Sequence, residues 1–168
     1  MSTVTVPGEA FGDLLLDQPR RCDKWSDYLT ARVRTAAKDE VLAEAVPGLA
    51  AIAQRFIARL EALPDPARCI VHGDIYPPNV MMNDDLQVTG LIDFSFTTRV
   101  GDHVMDLAGA CYYLQVIEAT SQADLDYLKQ LIPPCVREVV CCSTFLYFSG
   151  GRDRTMIWDI HWNENRRF

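Results

Sequence analysis

Two windows of the chain repeat apolar residues at intervals of three and four. The first window holds Trp25, Tyr28, Leu29 and Val33, and the second holds Leu49, Ile52, Phe56, Ile57 and Leu60. This spacing turns one side of a helix toward a core, so it predicts a helix from Asp23 to Ala37 and a second over the later window. Pro64 and Pro66 end the second helix, because proline has no backbone N–H for a helical hydrogen bond.

The pattern changes to short apolar runs after Pro66. Three strands are predicted at Cys69–Val71, Val80–Met82 and Val88 to Phe94, with Asn83 to Asp85 as the turn between the last two. Helical periodicity returns after Gly101, in windows 102–117, 123–131, 135–148 and 155–166. The pattern therefore predicts an α+β fold that is mostly helical and contains a small β hairpin.

The first twenty residues are rich in turn formers, namely Pro7, Gly8, Gly12 and Pro19. Around one short apolar run, Leu14 to Leu16, this composition predicts a linker or hinge over residues 1–20. Residues 21–168 then form one domain, because a chain of 168 residues has length for a single core.

Charge and hydropathy exclude two classes of partner. The formal net charge is -7 and only three lysines occur, which is unfavourable for binding a phosphate backbone, so no nucleic acid is expected. No apolar run approaches the ~20 residues that span a bilayer, and the first residues do not resemble a secretion signal. We therefore expect a cytoplasmic protein without a membrane segment. Its six cysteines show no metal-ligand spacing and are interpreted as unreactive buried thiols.

The chemistry-bearing residues lie between positions 72 and 108. They form the sequence His72-Gly73-Asp74, Asn79 five residues later, and Asp93-Phe94 after the hairpin. The spacing D-x-x-x-x-N followed by D-F is that of a kinase catalytic loop and its metal-binding segment. In such a site Asp74 would accept the proton of the attacking hydroxyl, while Asn79 and Asp93 would supply oxygen ligands to Mg²⁺.

The H-G-D form, and the pattern Gly101-Asp102 to Asp106-Leu107-Ala108, resemble the aminoglycoside phosphotransferase and choline kinase family. The resemblance implies a protein-kinase-like fold, ATP or another nucleoside triphosphate as donor, and Mg²⁺ as cofactor. It makes His72 a scaffold residue of the loop and lets Asp106 hold the loop backbone from the following helix. Asp102 fits equally well as the N-cap of that helix.

The acceptor is expected to be a small molecule. Only seven residues separate Phe94 from Asp102 and no A-P-E follows, which leaves no room for the segment on which protein kinases dock a peptide. Relatives act on aminoglycosides, choline, sugar amines and homoserine, so a cationic acceptor is compatible with the resemblance. The acceptor itself, and the residues that bind it, are not identified by the sequence.

The resemblance covers residues 20 to 168 and corresponds to the carboxyl-terminal lobe. The chain has no G-x-G and no lysine in a V-A-I-K context, so we expect the nucleotide-covering N-lobe to be absent and the isolated chain to be weakly active or inactive. A partner could supply that lobe. The alternatives are a non-catalytic, pseudokinase-like binding protein and a fragment that self-associates through its exposed hinge surface.

Several of these residues also have simpler interpretations. Asp74 and Asn79 are common turn residues taken one at a time, and His103 is expected to be exposed and incidental. An aromatic face formed by Trp158, His161 and Trp162 could join Tyr112 and Tyr113 around a quaternary ammonium, but core packing is the commoner use of such a face.

Overall fold

The computed structural model describes residues 5–6, 8–117 and 120–131. Its helices are α1 (Trp25–Ala36), α2 (Glu40–Ala45), α3 (Leu49–Glu61), α4 (Val104–Val116) and α5 (Gln122–Leu131). Its strands are β1 (Phe11–Asp13), β2 (Arg21–Cys22), β3 (Cys69–Val71), β4 (Val80–Met82), β5 (Val88–Leu91) and β6 (Arg99–Gly101). Helices account for 43% of the residues that the structure describes, and the sheets are antiparallel. Both findings confirm the α+β class with more helix than strand.

Helices α1 and α3 pack against each other and supply much of the core, as the apolar spacing predicts. Trp25, Tyr28, Leu29 and Val33 of α1 share one buried cluster with Ala53 and Leu60 of α3. Leu49 and Phe56 of α3 are buried as well. Helix α3 ends at Glu61, three residues before Pro64. The first N–H of α1, on Trp25, is satisfied by the carboxylate of Asp65 at 2.9 Å. Both predicted helices are therefore confirmed.

A four-stranded antiparallel sheet in the order β2-β1-β6-β3 lies beside the helices. Val100 of β6 pairs with Gly12 on one side and Ile70 on the other, and its side chain is fully buried. Phe11 of β1 is also fully buried in the main core. The sheet thus joins the start of the chain to the strand that enters the predicted catalytic loop.

The structure differs here from the prediction of a linker over residues 1–20. Residues 11–13 form a buried strand. Gly12, which suggested a turn, instead allows this strand to lie close to the segment at Arg20. Gly12 has φ +132°, and a Cβ at this position would lie 1.9 Å from the carbonyl oxygen of Arg20. A strand of three residues is too short to show a period of two, so its composition concealed it.

Helix α2 and strand β6 were not predicted either. Asp39 caps α2 by accepting hydrogen bonds from the N–H groups of Val41 and Leu42 at 3.0 and 3.1 Å. Only Leu42 of this helix is buried, so the segment carries no apolar repeat. Strand β6 begins with the buried Arg99, which follows the buried Thr98, and polar residues do not indicate a core strand.

The predicted hairpin is present as β4 and β5, with Val80 opposite Leu91. Its turn is closed by Asn83, whose side-chain oxygen accepts the N–H of Gln87 at 2.8 Å. Strand β5 ends at Leu91 rather than at Phe94, so the last three residues of the predicted strand lie outside β5. The hairpin exposes Met81, Met82 and Val88, which are between 49% and 63% accessible.

Helices α4 and α5 confirm the windows predicted at 102–117 and 123–131. The two later helical windows, 135–148 and 155–166, lie outside the described residues, as does the aromatic face of Trp158, His161 and Trp162. Among the residues that the structure describes, no helix is both long and apolar enough to cross a membrane.

Candidate active site

The loop that follows β3 is held in a conformation that requires glycine at its second position. Gly73 has φ +80°, and a Cβ there would lie 2.3 Å from the carbonyl oxygen of Thr97. The hydroxyls of Thr97 and Thr98 both donate to the carbonyl oxygen of His72, at 3.1 and 3.3 Å. The turn before β6 therefore packs directly against the loop backbone and shapes it.

Asp106 holds the same loop from the first turn of α4. One carboxylate oxygen accepts the N–H of His72 at 3.0 Å, and the other accepts the N–H of Gly73 at 2.8 Å. The carboxyl group is buried, and burial raises its pKa above the ordinary value, while the two backbone N–H groups act in the opposite direction. These are the contacts that the predicted anchoring role requires.

The ring of His72 connects the two halves of the site. Its Nε2 lies 2.8 Å from the carbonyl oxygen of Ile92, and its Nδ1 accepts the N–H of Asp74 at 3.2 Å. Because Nδ1 acts as an acceptor, the ring hydrogen is assigned to Nε2, which donates to Ile92. The ring is buried and packs against Phe94 with centroids 4.5 Å apart. One side chain thus touches both the segment of Asp74 and the segment of Asp93.

Asn79 lies beside Asp74 at the start of the hairpin. Its side-chain Nδ2 donates to the carbonyl oxygen of Asp74 at 2.9 Å and lies 3.3 Å from the carboxylate Oδ2. The backbone oxygen of Asn79 accepts the N–H of Ile92 at 3.0 Å, which extends the hairpin pairing by one residue. The amide nitrogen is therefore committed to Asp74, and the amide oxygen is the atom left to act as a ligand.

Asp93 immediately follows this extended pairing. Its side chain is exposed and its φ is +64°, a left-handed value that is uncommon for residues other than glycine. Its carboxylate makes no hydrogen bond within the described part of the chain, whereas the carboxylates of Asp74, Asp102 and Asp106 all do. Asp93 thus combines an available carboxylate with a backbone conformation that the hairpin end imposes.

The donor set fits Mg²⁺ better than a softer metal. It consists of one carboxylate and one amide oxygen, and hard Mg²⁺ prefers oxygen ligands while keeping waters and phosphate oxygens. Across residues 8–117 and 120–131, no group of three His, Cys, Asp or Glu side chains could hold a metal ion by themselves. A cation at Asn79 and Asp93 would therefore need further ligands from a bound phosphate or from water.

Asp102 stands at the start of α4 and contacts no residue of the loop. Its carboxylate accepts the N–H of Val104 at 3.0 Å, and its backbone oxygen accepts the N–H of Met105 at the same distance. This geometry is that of a helix cap, the interpretation that the sequence offered beside a site role. His103 is exposed, as expected, with Nδ1 3.5 Å from the Asp102 carboxylate.

Sequence reasoning did not place Tyr113 at the catalytic loop. Its hydroxyl donates to Oδ1 of Asp74 at 2.5 Å, and its ring lies 5.2 Å from that of Tyr76. A signal for it existed, because Tyr113 follows Asp106 by seven residues and so lies on the same face of α4 two turns later. The structure thus shows this tyrosine beside an aspartate, whereas the sequence had offered it only as part of an aromatic cage.

Comparisons with known proteins agree with this architecture. Residues 13–138 match the family model described as "Phosphotransferase enzyme family". A search of the curated proteins found no sequence match. The fold is similar to crystal structures of a thermostable mutant of aminoglycoside phosphotransferase APH(4)-Ia. The apo form has a TM-score of 0.61 at 16% identity, and a ternary complex with AMP-PNP and hygromycin B has 0.61 at 17%.

Both of these matches cover 84% of this chain but only 48% of the aminoglycoside phosphotransferase, so the chain spans about half the length of the solved relatives. A third structure, a ternary complex with ADP and hygromycin B, matches with a TM-score of 0.57 at 14% identity. Identities this low establish the fold alone. The family model extends over three quarters of the chain, from β1 past α5, and on that ground the chain belongs to the phosphotransferase enzyme family.

Proposed function

We propose that this chain carries the catalytic loop and metal ligands of an ATP- and Mg²⁺-dependent kinase that phosphorylates a hydroxyl group of a small molecule. Asp74 is the catalytic residue, and Asn79 and Asp93 are the metal ligands. His72 and Asp106 support the loop directly, and Asp102 supports it by capping α4, the helix that carries Asp106. The observation that carries the proposal is the meeting of three segments at one place: Asn79 contacts Asp74, while the ring of His72 joins Asp74 to the residue before Asp93.

Phosphoryl transfer depends mainly on positioning and on compensation of negative charge. In the proposed reaction the oxygen of the substrate hydroxyl forms a bond to the γ-phosphorus of ATP. The Asp74 carboxylate accepts the proton that this hydroxyl releases. The bond from that phosphorus to the bridging oxygen breaks, and ADP leaves. Asp74 suits this role because its side chain is partly exposed and therefore accessible to an acceptor. Its backbone is fixed by contacts with His72 and Asn79.

Mg²⁺ bound at Asn79 and Asp93 would neutralise the charge of the phosphates. Asp93 brings the anionic oxygen and Asn79 the neutral one. The side-chain Nδ2 of Asn79 donates to Asp74, and this contact fixes the orientation of the amide. One amide group thus orients both the proposed metal ligand, its own oxygen, and the proposed base, Asp74. Asp106 secures the backbone immediately before Asp74 by accepting the N–H groups of His72 and Gly73.

The remaining phosphate-binding groups and the cover of the nucleotide are proposed to come from a second lobe, on the same polypeptide or on a partner chain. Two crystal structures of the similar phosphotransferase hold AMP-PNP or ADP together with hygromycin B. We therefore propose ATP as the phosphoryl donor of this chain. Hygromycin B is the reasonable first acceptor to test, within a panel of small hydroxylated and amino-bearing molecules.

The proposed metal site is tested by thermal denaturation with ATP, with and without Mg²⁺, for the native chain and for Asp93→Asn. We expect a Mg²⁺-dependent rise in Tm for the native chain that Asp93→Asn abolishes. Asp85→Asn is the matched control, because Asp85 is an exposed aspartate at the tip of the same hairpin and should leave the rise unchanged. A native chain whose Tm does not respond to ATP and Mg²⁺ would contradict the proposal.

Catalysis is tested separately by measuring ADP release with hygromycin B and with the acceptor panel, at saturating ATP. Transfer that Asp74→Asn abolishes supports the kinase. If ATP and Mg²⁺ bind and the second lobe is supplied, yet no ADP is released with any acceptor, a non-catalytic binding protein built on the same scaffold is favoured instead.

A further inference from the structure

Tyr113 touches the proposed catalytic carboxylate from a different element than the loop that carries it. Its hydroxyl donates to Oδ1 of Asp74, whereas Asn79 Nδ2 lies 3.3 Å from Oδ2 of the same group. The two carboxylate oxygens are thus held by two separate parts of the chain, helix α4 and the start of the hairpin. Rotation of the carboxylate about its last bond would break both contacts together.

From this geometry we infer that Tyr113 is a positioning residue that fixes the orientation of the Asp74 carboxylate for proton acceptance. The inference rests on the proposed function of Asp74. Because the phenol holds Oδ1 and the Asn79 amide lies beside Oδ2, the plane of the carboxylate is fixed. An acceptor hydroxyl therefore meets the remaining lone pairs of the carboxylate in one orientation, and loss of the phenol removes that constraint.

The ring of Tyr113 is itself held in place. It lies 5.2 Å from the ring of Tyr76 at an interplanar angle of 35°, so the loop packs against the helix beside the hydrogen bond. Tyr113 also follows Asp106 on the same face of α4, and Asp106 holds the backbone N–H groups of the loop. One helix face thus sets both the main chain of the loop and the direction of its carboxylate.

A purely packing role for Tyr113 makes a different prediction from a positioning role. Packing depends on the ring, which phenylalanine preserves, whereas positioning depends on the hydroxyl. Tyr113→Phe is therefore the informative variant, and Tyr76→Phe is its matched control. Tyr76 belongs to the same ring pair, and its hydroxyl does not contact Asp74.

The first measurement reports on orientation without requiring activity. In ¹⁵N-labelled full chain, the side-chain NH₂ signal of Asn79 senses the Asp74 carboxylate that it faces. We expect Tyr113→Phe to shift this signal and to speed its exchange with water, and Tyr76→Phe to leave it unchanged. An unchanged Asn79 signal in Tyr113→Phe would overturn the inference.

The second measurement is the rate of ADP release with ATP, Mg²⁺ and hygromycin B as the probe acceptor. Loss of one hydrogen bond to a charged group should lower kcat about tenfold, while KM for ATP stays within about twofold, because the phenol donates to Asp74, which is not one of the proposed metal ligands. An equal kcat in native chain and Tyr113→Phe would overturn the inference. If this chain, supplied with the second lobe that the proposal requires, transfers no phosphoryl group, the proposed function fails, and the Asn79 signal alone decides whether Tyr113 orients Asp74.

Discussion

Removal of the Asp106 carboxylate should destabilise the whole chain as well as the site. In Asp106→Ala the N–H groups of His72 and Gly73 lose acceptors at 3.0 and 2.8 Å in a buried position. A buried N–H without a partner costs about 1–3 kcal/mol, so two cost roughly 2–6 kcal/mol. The variant also no longer buries a charge, which offsets part of this cost. We therefore expect the free energy of unfolding to fall by about 3 kcal/mol.

The measurement is urea unfolding at pH 7, followed by circular dichroism. Asp106→Asn should lose roughly half as much as Asp106→Ala, because one side-chain oxygen remains to accept one N–H. It also serves as the measurable variant if Asp106→Ala does not fold, since a domain has only about 5–15 kcal/mol of stability in total.

Asp102→Ala is the control for this experiment. Asp102 lies four residues earlier on the same helix start, and its carboxylate accepts one N–H, that of Val104. Loss of such a cap costs about 1 kcal/mol. If Asp106→Ala costs no more than Asp102→Ala, the two loop contacts contribute little, and the explanation of how the loop is held would be refuted.

Three further predictions concern the stability of the fold around the site. Gly73→Ala should lower Tm by several degrees, since its Cβ would meet the backbone of Thr97 at 2.3 Å; an unchanged Tm in calorimetry would contradict this. Asp39→Ala should cost about 1 kcal/mol in urea unfolding, because α2 loses its cap. Burial raises the pKa of Asp106, so protonation of this group favours the folded chain; this pH-dependent part of its contribution is complete below the pKa of an unfolded aspartate, about 3.9, and is lost as pH rises through the higher folded pKa, whereas the two N–H contacts remain at pH 7. The native chain should accordingly lose stability relative to Asp106→Asn over that range, measured by urea unfolding at several pH values.

The elements that the sequence predicted correctly are those whose order follows from local spacing. Helices α1 and α3 carry apolar residues at intervals of three and four over at least three turns, and the hairpin has a turn signal in Asn83. The spacing from Asp74 to Asn79 and on to Asp93 also predicts that these residues flank one hairpin, and the structure contains that hairpin as β4 and β5. Short-range patterns of this kind survive because tertiary packing reinforces them.

The features that the sequence did not show depend on contacts between distant segments. Strand β1 exists because Gly12 and Asp13 pair with β6, almost ninety residues later, and three residues alone carry no period. The contact of Tyr113 with Asp74 spans 39 positions and joins a helix to a loop. The polar contacts of Thr97 and Thr98 with His72 are of the same kind. No local pattern records which distant partner a hydroxyl group will find.

The imidazole of His72 has a consequence for how the site tolerates change. Its two nitrogens form hydrogen bonds with the backbone on opposite sides, at the N–H of Asp74 and the carbonyl of Ile92, so a rigid five-membered ring sets the distance between the backbone of Asp74 and that of Ile92, the residue before Asp93. A flexible side chain could satisfy one contact and let the other drift. The imidazole ring therefore restrains the distance between the segments that carry the two proposed functional carboxylates, Asp74 and Asp93. Even a conservative exchange such as His72→Gln should broaden the range of that distance without unfolding the chain.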